Sequence, residues 1–100
     1  MPVFYPVRLP EDDEKLQRRL ERGKEKFEGG DFPGAEEEFD GAVSLYPFSA
    51  EAWFYRAQAR IATNNIAGAR KDLEMALIIK PGFEEAKELL MKLTTGKQKL

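Results

Sequence analysis

Residues 50–83 read AEAWFYRAQARIATNNIAGARKDLEMALIIKPGF, and residues 16–49 read LQRRLERGKEKFEGGDFPGAEEEFDGAVSLYPFS. Set one above the other, the two stretches keep register over 34 positions. Arg22 recurs as Arg56, Gly34 as Gly68, Ala35 as Ala69, Ala42 as Ala76 and Pro47 as Pro81. Other pairs keep their chemistry without identity: Gly23/Ala57, Phe27/Ile61, Phe32/Ile66, Glu38/Asp72, Phe39/Leu73, Val43/Leu77 and Leu45/Ile79. Small residues meet small ones and apolar residues meet apolar ones. Self-similarity at this period marks stacked helical hairpins, each unable to bury its apolar face alone.

Working outward, the spacing predicts five helices. The first begins at Glu11, where Pro10 suits a boundary and four acids favour a helix N-terminus; Leu16, Leu20, Gly23 and Phe27 then recur on one face. Gly29-Gly30-Asp31 ends it, and Pro33 fits the first turn of the second helix, which carries Ala35, Phe39, Ala42, Val43 and Leu45 up to Pro47. Ser49 is an N-cap for the third helix, with Trp53, Ala57 and Ile61. Asn64-Asn65 turns the chain into the fourth, with Ala69, Leu73, Ala76, Leu77 and Ile79. The fifth holds Ala86, Leu89, Leu90 and Leu93 on one face. The expected organisation is an extended apolar segment over 1–10, a helical domain over 11–95 and a flexible tail over 96–100. Within the domain the repeats span about 16–49 and 50–83, and a capping helix spans about 83–95. The small residues allow helix axes to approach, and large ones such as Trp53, Phe39 and Leu73 fill the space beside them.

Composition narrows the function classes. One hundred residues, 42% hydrophobic and 34% charged, describe one small folded domain, and no apolar run approaches the ~20 residues that cross a bilayer. Met1–Pro10 lacks the long apolar core of a signal peptide, so a cytoplasmic setting is expected. Without cysteine or histidine the chain has no disulfide, thiolate metal site or histidine base, and no metal or cofactor is expected. No phosphate-binding glycine loop occurs, and Glu36, Glu37 and Glu38 fan outward from a helix, so an enzyme is not expected. The net charge of −2 is unevenly spread: residues 27–55 hold seven acids and no Lys or Arg. That block reads as a solvated helix face, or as a surface that orders neighbouring copies head to tail.

These residues resemble the tetratricopeptide repeat family. The repeat at 50–83 supplies Trp53, Ala57, Ala69, Leu73, Ala76 and Pro81 at six of the family's eight signature places, and the repeat at 16–49 supplies Gly23, Ala35, Phe39, Ala42 and Pro47. The resemblance covers about residues 16–95. It implies an all-α, right-handed α-solenoid of two hairpins plus a capping helix. Arg22, Arg56, Lys26 and Arg60 depart from the pattern, standing where the family has a leucine or an aromatic. Each repeat carries an acid opposite, Glu38 and Asp72. Intra-repeat bridges Arg22–Glu38 and Arg56–Asp72 are therefore expected, since a buried unpaired guanidinium is very costly. The alternative is a basic stripe of Arg19, Arg22, Lys26, Arg56 and Arg60 facing an acidic partner.

The resemblance also implies a protein–protein interaction scaffold or adaptor that holds a peptide or amphipathic helix in a concave groove. Its groove-facing positions here are Gln17, Leu20, Lys24 and Phe27, then Glu51, Phe54, Gln58 and Ile61, then a polar rim of Glu85, Glu88 and Lys92. Leu20, Lys24, Phe27, Phe54, Gln58 and Ile61 are the candidate binding residues. Leu20 and Phe54 are expected to be exposed, so that Phe54→Glu abolishes binding and spares the fold. Phe27 and Ile61 either line the groove or pack between helices. The positions at which chaperone-binding members hold a terminal carboxylate read Leu20, Lys24, Tyr55, Glu85 and Leu89, so only Lys24 could contribute. An apolar or amphipathic ligand is therefore expected rather than an acidic tail. The rival reading is a self-associating structural module, a homodimer or longer assembly. It would form through Val3, Phe4, Tyr5, Val7 and Leu9, which could otherwise strap their own first hairpin, or through repeat stacking. The acidic balance opposes nucleic-acid binding.

Overall fold

A computed structural model describes the backbone of residues 10–98 and the side chains of residues 14–95. Among these residues the chain forms five helices: α1 (Pro10–Glu28), α2 (Phe32–Leu45), α3 (Ala50–Ala62), α4 (Ile66–Ile79) and α5 (Glu84–Gln98). Helix α1 packs on α2 and α3 on α4 as hairpins, while α2 against α3 and α4 against α5 join the units in a row. The elements are those the spacing predicts, with α5 helical to Gln98 where a tail was expected from Gly96. The apolar N-terminal segment lies outside the described residues.

Both intra-hairpin turns are built alike. Gly30 has φ +88° and its counterpart Asn64 has φ +67°, the left-handed region that glycine and, less readily, asparagine adopt. The N–H of Asp31 donates to the Lys26 carbonyl at 2.8 Å, and that of Asn65 to the Arg60 carbonyl at 2.7 Å. Together with the bonds from the Gly30 N–H to the Phe27 carbonyl at 3.1 Å and from the Asn64 N–H to the Ile61 carbonyl at 3.0 Å, they close each preceding helix as a Schellman motif. The same Asp31 and Asn65 then cap the next helix, their side chains accepting from the N–H of Gly34 at 3.0 Å and Gly68 at 3.1 Å. A Cβ on Gly34 or Gly68 would collide with that cap, which explains why glycine stands at both places. Ser49 caps α3, accepting from the Ala52 N–H at 3.3 Å.

Small residues admit large ones across each hairpin. Gly23 on α1 leaves no room for a Cβ because the Phe39 ring lies against it. Ala57 repeats the arrangement in a cluster with Leu73. Leu16, Leu20, Phe39, Ala42 and Val43 form the first core, which Ala52 and Ala59 of α3 join from the second hairpin. The second core unites Phe54, Ala57, Leu73, Ala76, Phe83 and Ala86.

Charge is buried with its partners. Asp72 on α4 is 1% exposed. Its carboxylate accepts from Arg56 Nε at 3.0 Å and Nη2 at 2.8 Å, and from Arg60 Nη1 at 3.2 Å. Arg56 reaches back to Asp40 on α2 at 3.1 Å, and Arg60 to Glu36 at 3.3 Å. Burial pulls the Arg56 pKa down, but the hydrogen bonds and charges of Asp72 and Asp40 outweigh it and leave the guanidinium above its ordinary value. The network ties α2, α3 and α4 together.

Both expected bridges are present but unequal: Arg56 hydrogen-bonds Asp72, whereas Arg22 pairs with Glu38 only at 3.8 Å and the hydrogen bond to Glu38 comes from Lys26 at 3.1 Å. The reason is position. Arg56 lies between two helices, with an acid on each, while Arg22 is 59% exposed on the outer side of α1. Arg56 and Arg60 therefore do not belong to a solvent-facing basic stripe. We predict that Asp72→Leu destabilises by about 3 kcal/mol, because it strands two half-buried guanidiniums. Arg56→Leu combined with Asp72→Leu should cost less than the two single changes added together. A thermodynamic cycle from urea unfolding checks this, and strict additivity would show the pair to be uncoupled.

Candidate functional site

Two adjoining clefts open along one side of the row, and the first is framed mainly by α1 and α3. That cleft, about 210 Å³, is lined by Lys24, Phe27 and Glu28 of α1, Phe39 of α2, and Tyr55 and Gln58 of α3.

 

Five of these six residues lie on α1 or α3. The second cleft, about 370 Å³, is lined by Phe54, Tyr55 and Gln58 of α3 and by Glu85, Glu88, Leu89 and Lys92 of α5. Tyr55 and Gln58 belong to both, so the two clefts make one groove along α1, α3 and α5.

An aromatic ladder floors this groove. Phe39 stacks on Tyr55 with centroids 5.6 Å apart, Tyr55 meets Phe54 edge to face at 5.5 Å, and Phe54 meets Phe83 at 4.9 Å. The Lys24 ammonium lies 4.5 Å from the Tyr55 ring centroid, a cation–π contact that holds a positive charge at the groove wall. Phe27 meets Phe32 edge to face at 5.0 Å, which fixes the end of α1 beside the first cleft.

A tetratricopeptide repeat family model matches residues 20–82. The chain belongs to the tetratricopeptide repeat family. It is 43% identical over 61 residues to tetratricopeptide repeat protein 36 of Mus musculus, matching 61% of this chain and 33% of that protein. It is 36% identical over 87 residues to sperm-associated antigen 1 of Homo sapiens, matching 87% of this chain and 9% of that protein. The chain therefore spans about a third or less of these two relatives. Among solved structures, the first TPR of Spaghetti (RPAP3) bound to the HSP90 peptide SRMEEVD superposes with a TM-score of 0.78 at 28% identity, covering 83% of this chain and 66% of that one.

The candidate residues divide. Lys24, Phe27 and Gln58 line the first cleft, and Gln58 with Phe54 lines the second. Leu20 is a correction: at 1% exposed it belongs to the first core and lines neither cleft. Phe54 is a second correction, because it is 8% exposed and wedged between Tyr55 and Phe83. Ile61 packs against the second core and lines neither cleft. Tyr55 was named only for a carboxylate-holding position, yet like Gln58 it lines both clefts. Its neighbours on the TPR helix gave the signal, since Tyr55 lies three residues before Gln58 on the same face. Phe54→Glu should therefore unfold rather than merely silence the domain, costing about 4 kcal/mol. Gln58→Ala should stay within about 0.5 kcal/mol of the parent. Thermal melts followed by circular dichroism separate the two outcomes; a folded Phe54→Glu would overturn the burial argument.

Proposed function

We propose that this TPR domain is a non-enzymatic scaffold or adaptor that holds a peptide or amphipathic helix of a partner protein in the groove along α1, α3 and α5. The observation that carries the reading is the pair of adjoining clefts joined by Tyr55 and Gln58 over an aromatic floor. The structural neighbour supports it, being a TPR bound to a peptide. Lys24, Phe27, Tyr55 and Gln58 would make the contacts.

The ligand's chemistry differs from that neighbour's acidic peptide. Of the positions that hold a terminal carboxylate in chaperone-binding members, only Lys24 is basic here, while Leu20 is buried and Glu85 is an acid. Glu85 and Glu88 line the second cleft beside Lys92, so an incoming carboxylate would meet two like charges. An apolar or amphipathic segment suits the groove better. No helix among the described residues is long and apolar enough to cross a membrane.

Self-association by stacking of hairpins is disfavoured by the outer side of α1. Ala52 and Ala59 of α3 are fully buried against the first hairpin. Their counterparts one period earlier are Arg18 and Glu25, both exposed, so a like hairpin docking there would bury two charges. Titration of SRMEEVD into the chain, followed by NMR, is expected to move few groove resonances, whereas an amphipathic peptide selected from a library should move Lys24, Phe27, Tyr55 and Gln58. Perturbations confined to other surfaces would overturn the groove reading. Light scattering should give a monomer mass across a concentration series.

A further inference from the structure

The outer side of α1 carries a second surface. Lys15, Arg18, Arg19 and Arg22 recur at helical i, i+3, i+4 and i+7 spacing, and with Leu45 of α2 they line a cleft of about 160 Å³. Lys26 extends the row, giving a stripe about 16 Å long. Among the described residues one anion faces three of these cations: the Glu38 carboxylate stands 3.1 Å from Lys26, 3.8 Å from Arg22 and 3.9 Å from Arg19.

Two features show that the stripe is shaped rather than incidental. Arg19 lies across Gly41 of α2 so closely that a Cβ there would collide with its guanidinium. One period later the same two places hold the apolar residues Trp53 and Met75, so the cation laid over a glycine is particular to the first hairpin. Leu45 is 59% exposed at the end of this cleft, an apolar side chain set among cations.

We infer that this face docks an acidic segment of a partner protein, a helix with carboxylates along one side and an apolar residue that meets Leu45. The stripe is narrow. Glu14, Glu21, Glu25 and Glu28 run along the neighbouring side of α1, so a broad anionic surface would meet these acids together with the cations. A single helix can lie on the cations alone. The site is separate from the groove, which opens on the Lys24 and Phe27 side of the same helix.

The test uses the full chain and two labelled synthetic peptides of equal composition, read by fluorescence anisotropy. One peptide places glutamates at helical spacing around a leucine; the other scatters the same residues around the helix. The spaced peptide should bind roughly tenfold tighter than the scattered one, and less tightly as salt rises. Arg18→Glu with Arg22→Glu should remove that preference, Leu45→Gln should weaken it, and Lys24→Gln in the groove should leave it unchanged. Should the double variant fail to fold, Arg18→Gln and Leu45→Gln decide. Equal affinity for the two peptides, or binding that survives in a folded double variant, overturns the proposal. Tighter binding to phosphatidylserine vesicles or to a DNA duplex than to the spaced peptide also overturns it, assigning the face to a membrane or to nucleic acid.

Discussion

A carboxylate that is almost wholly out of water must be matched by charge, and Asp72 sets that requirement for the middle of this molecule. Arg56 and Arg60 answer it from α3, and because guanidiniums carry donors on several sides, each also reaches an acid on α2. One buried anion thereby fixes three helices relative to one another. The apolar contacts supply most of the burial but are non-directional. The network supplies the direction, setting the rotation of α3 between its neighbours and hence which of its residues face the groove.

That rotation explains where the sequence was readable and where it was not. The helices, turns and caps follow from local chemistry: a left-handed residue at Gly30 and Asn64, a capping oxygen at Asp31, Asn65 and Ser49, and small residues where helices touch. Each of these could be read within a few residues. The side of α3 that faces the groove depends on how three helices pack, and a repeat register carried over by resemblance placed Phe54 in the open. The ring instead turns toward Phe83, an aromatic in the turn after α4, and Tyr55 takes the groove.

The ion pairs show the same limit from another side. Arg22 and Arg56 are identical residues one period apart, and the sequence gives no reason to treat them differently. Their fates diverge because Arg56 has the first hairpin beside it and Arg22 has nothing described on that side. Lys26 then takes Glu38 at a distance that Arg22 does not reach. A repeat protein differs from a globular one in this respect: equivalent positions share local structure but not neighbours.

The first helix is where this difference becomes chemistry. Positions that in α3 are alanine, so that the preceding hairpin can approach, are in α1 the charged Arg18 and Glu25. Among the described residues both of these charges are exposed to water, where charge costs little. Leu45 is likewise exposed among the described residues, whereas its counterpart Ile79 packs against the second core. The exposed edge of this helix is thus basic on one stripe, acidic on the next and bordered by one apolar residue, without disturbing the hairpin beneath it. The groove, by contrast, is built from residues that also hold the cores together, so its chemistry can vary less.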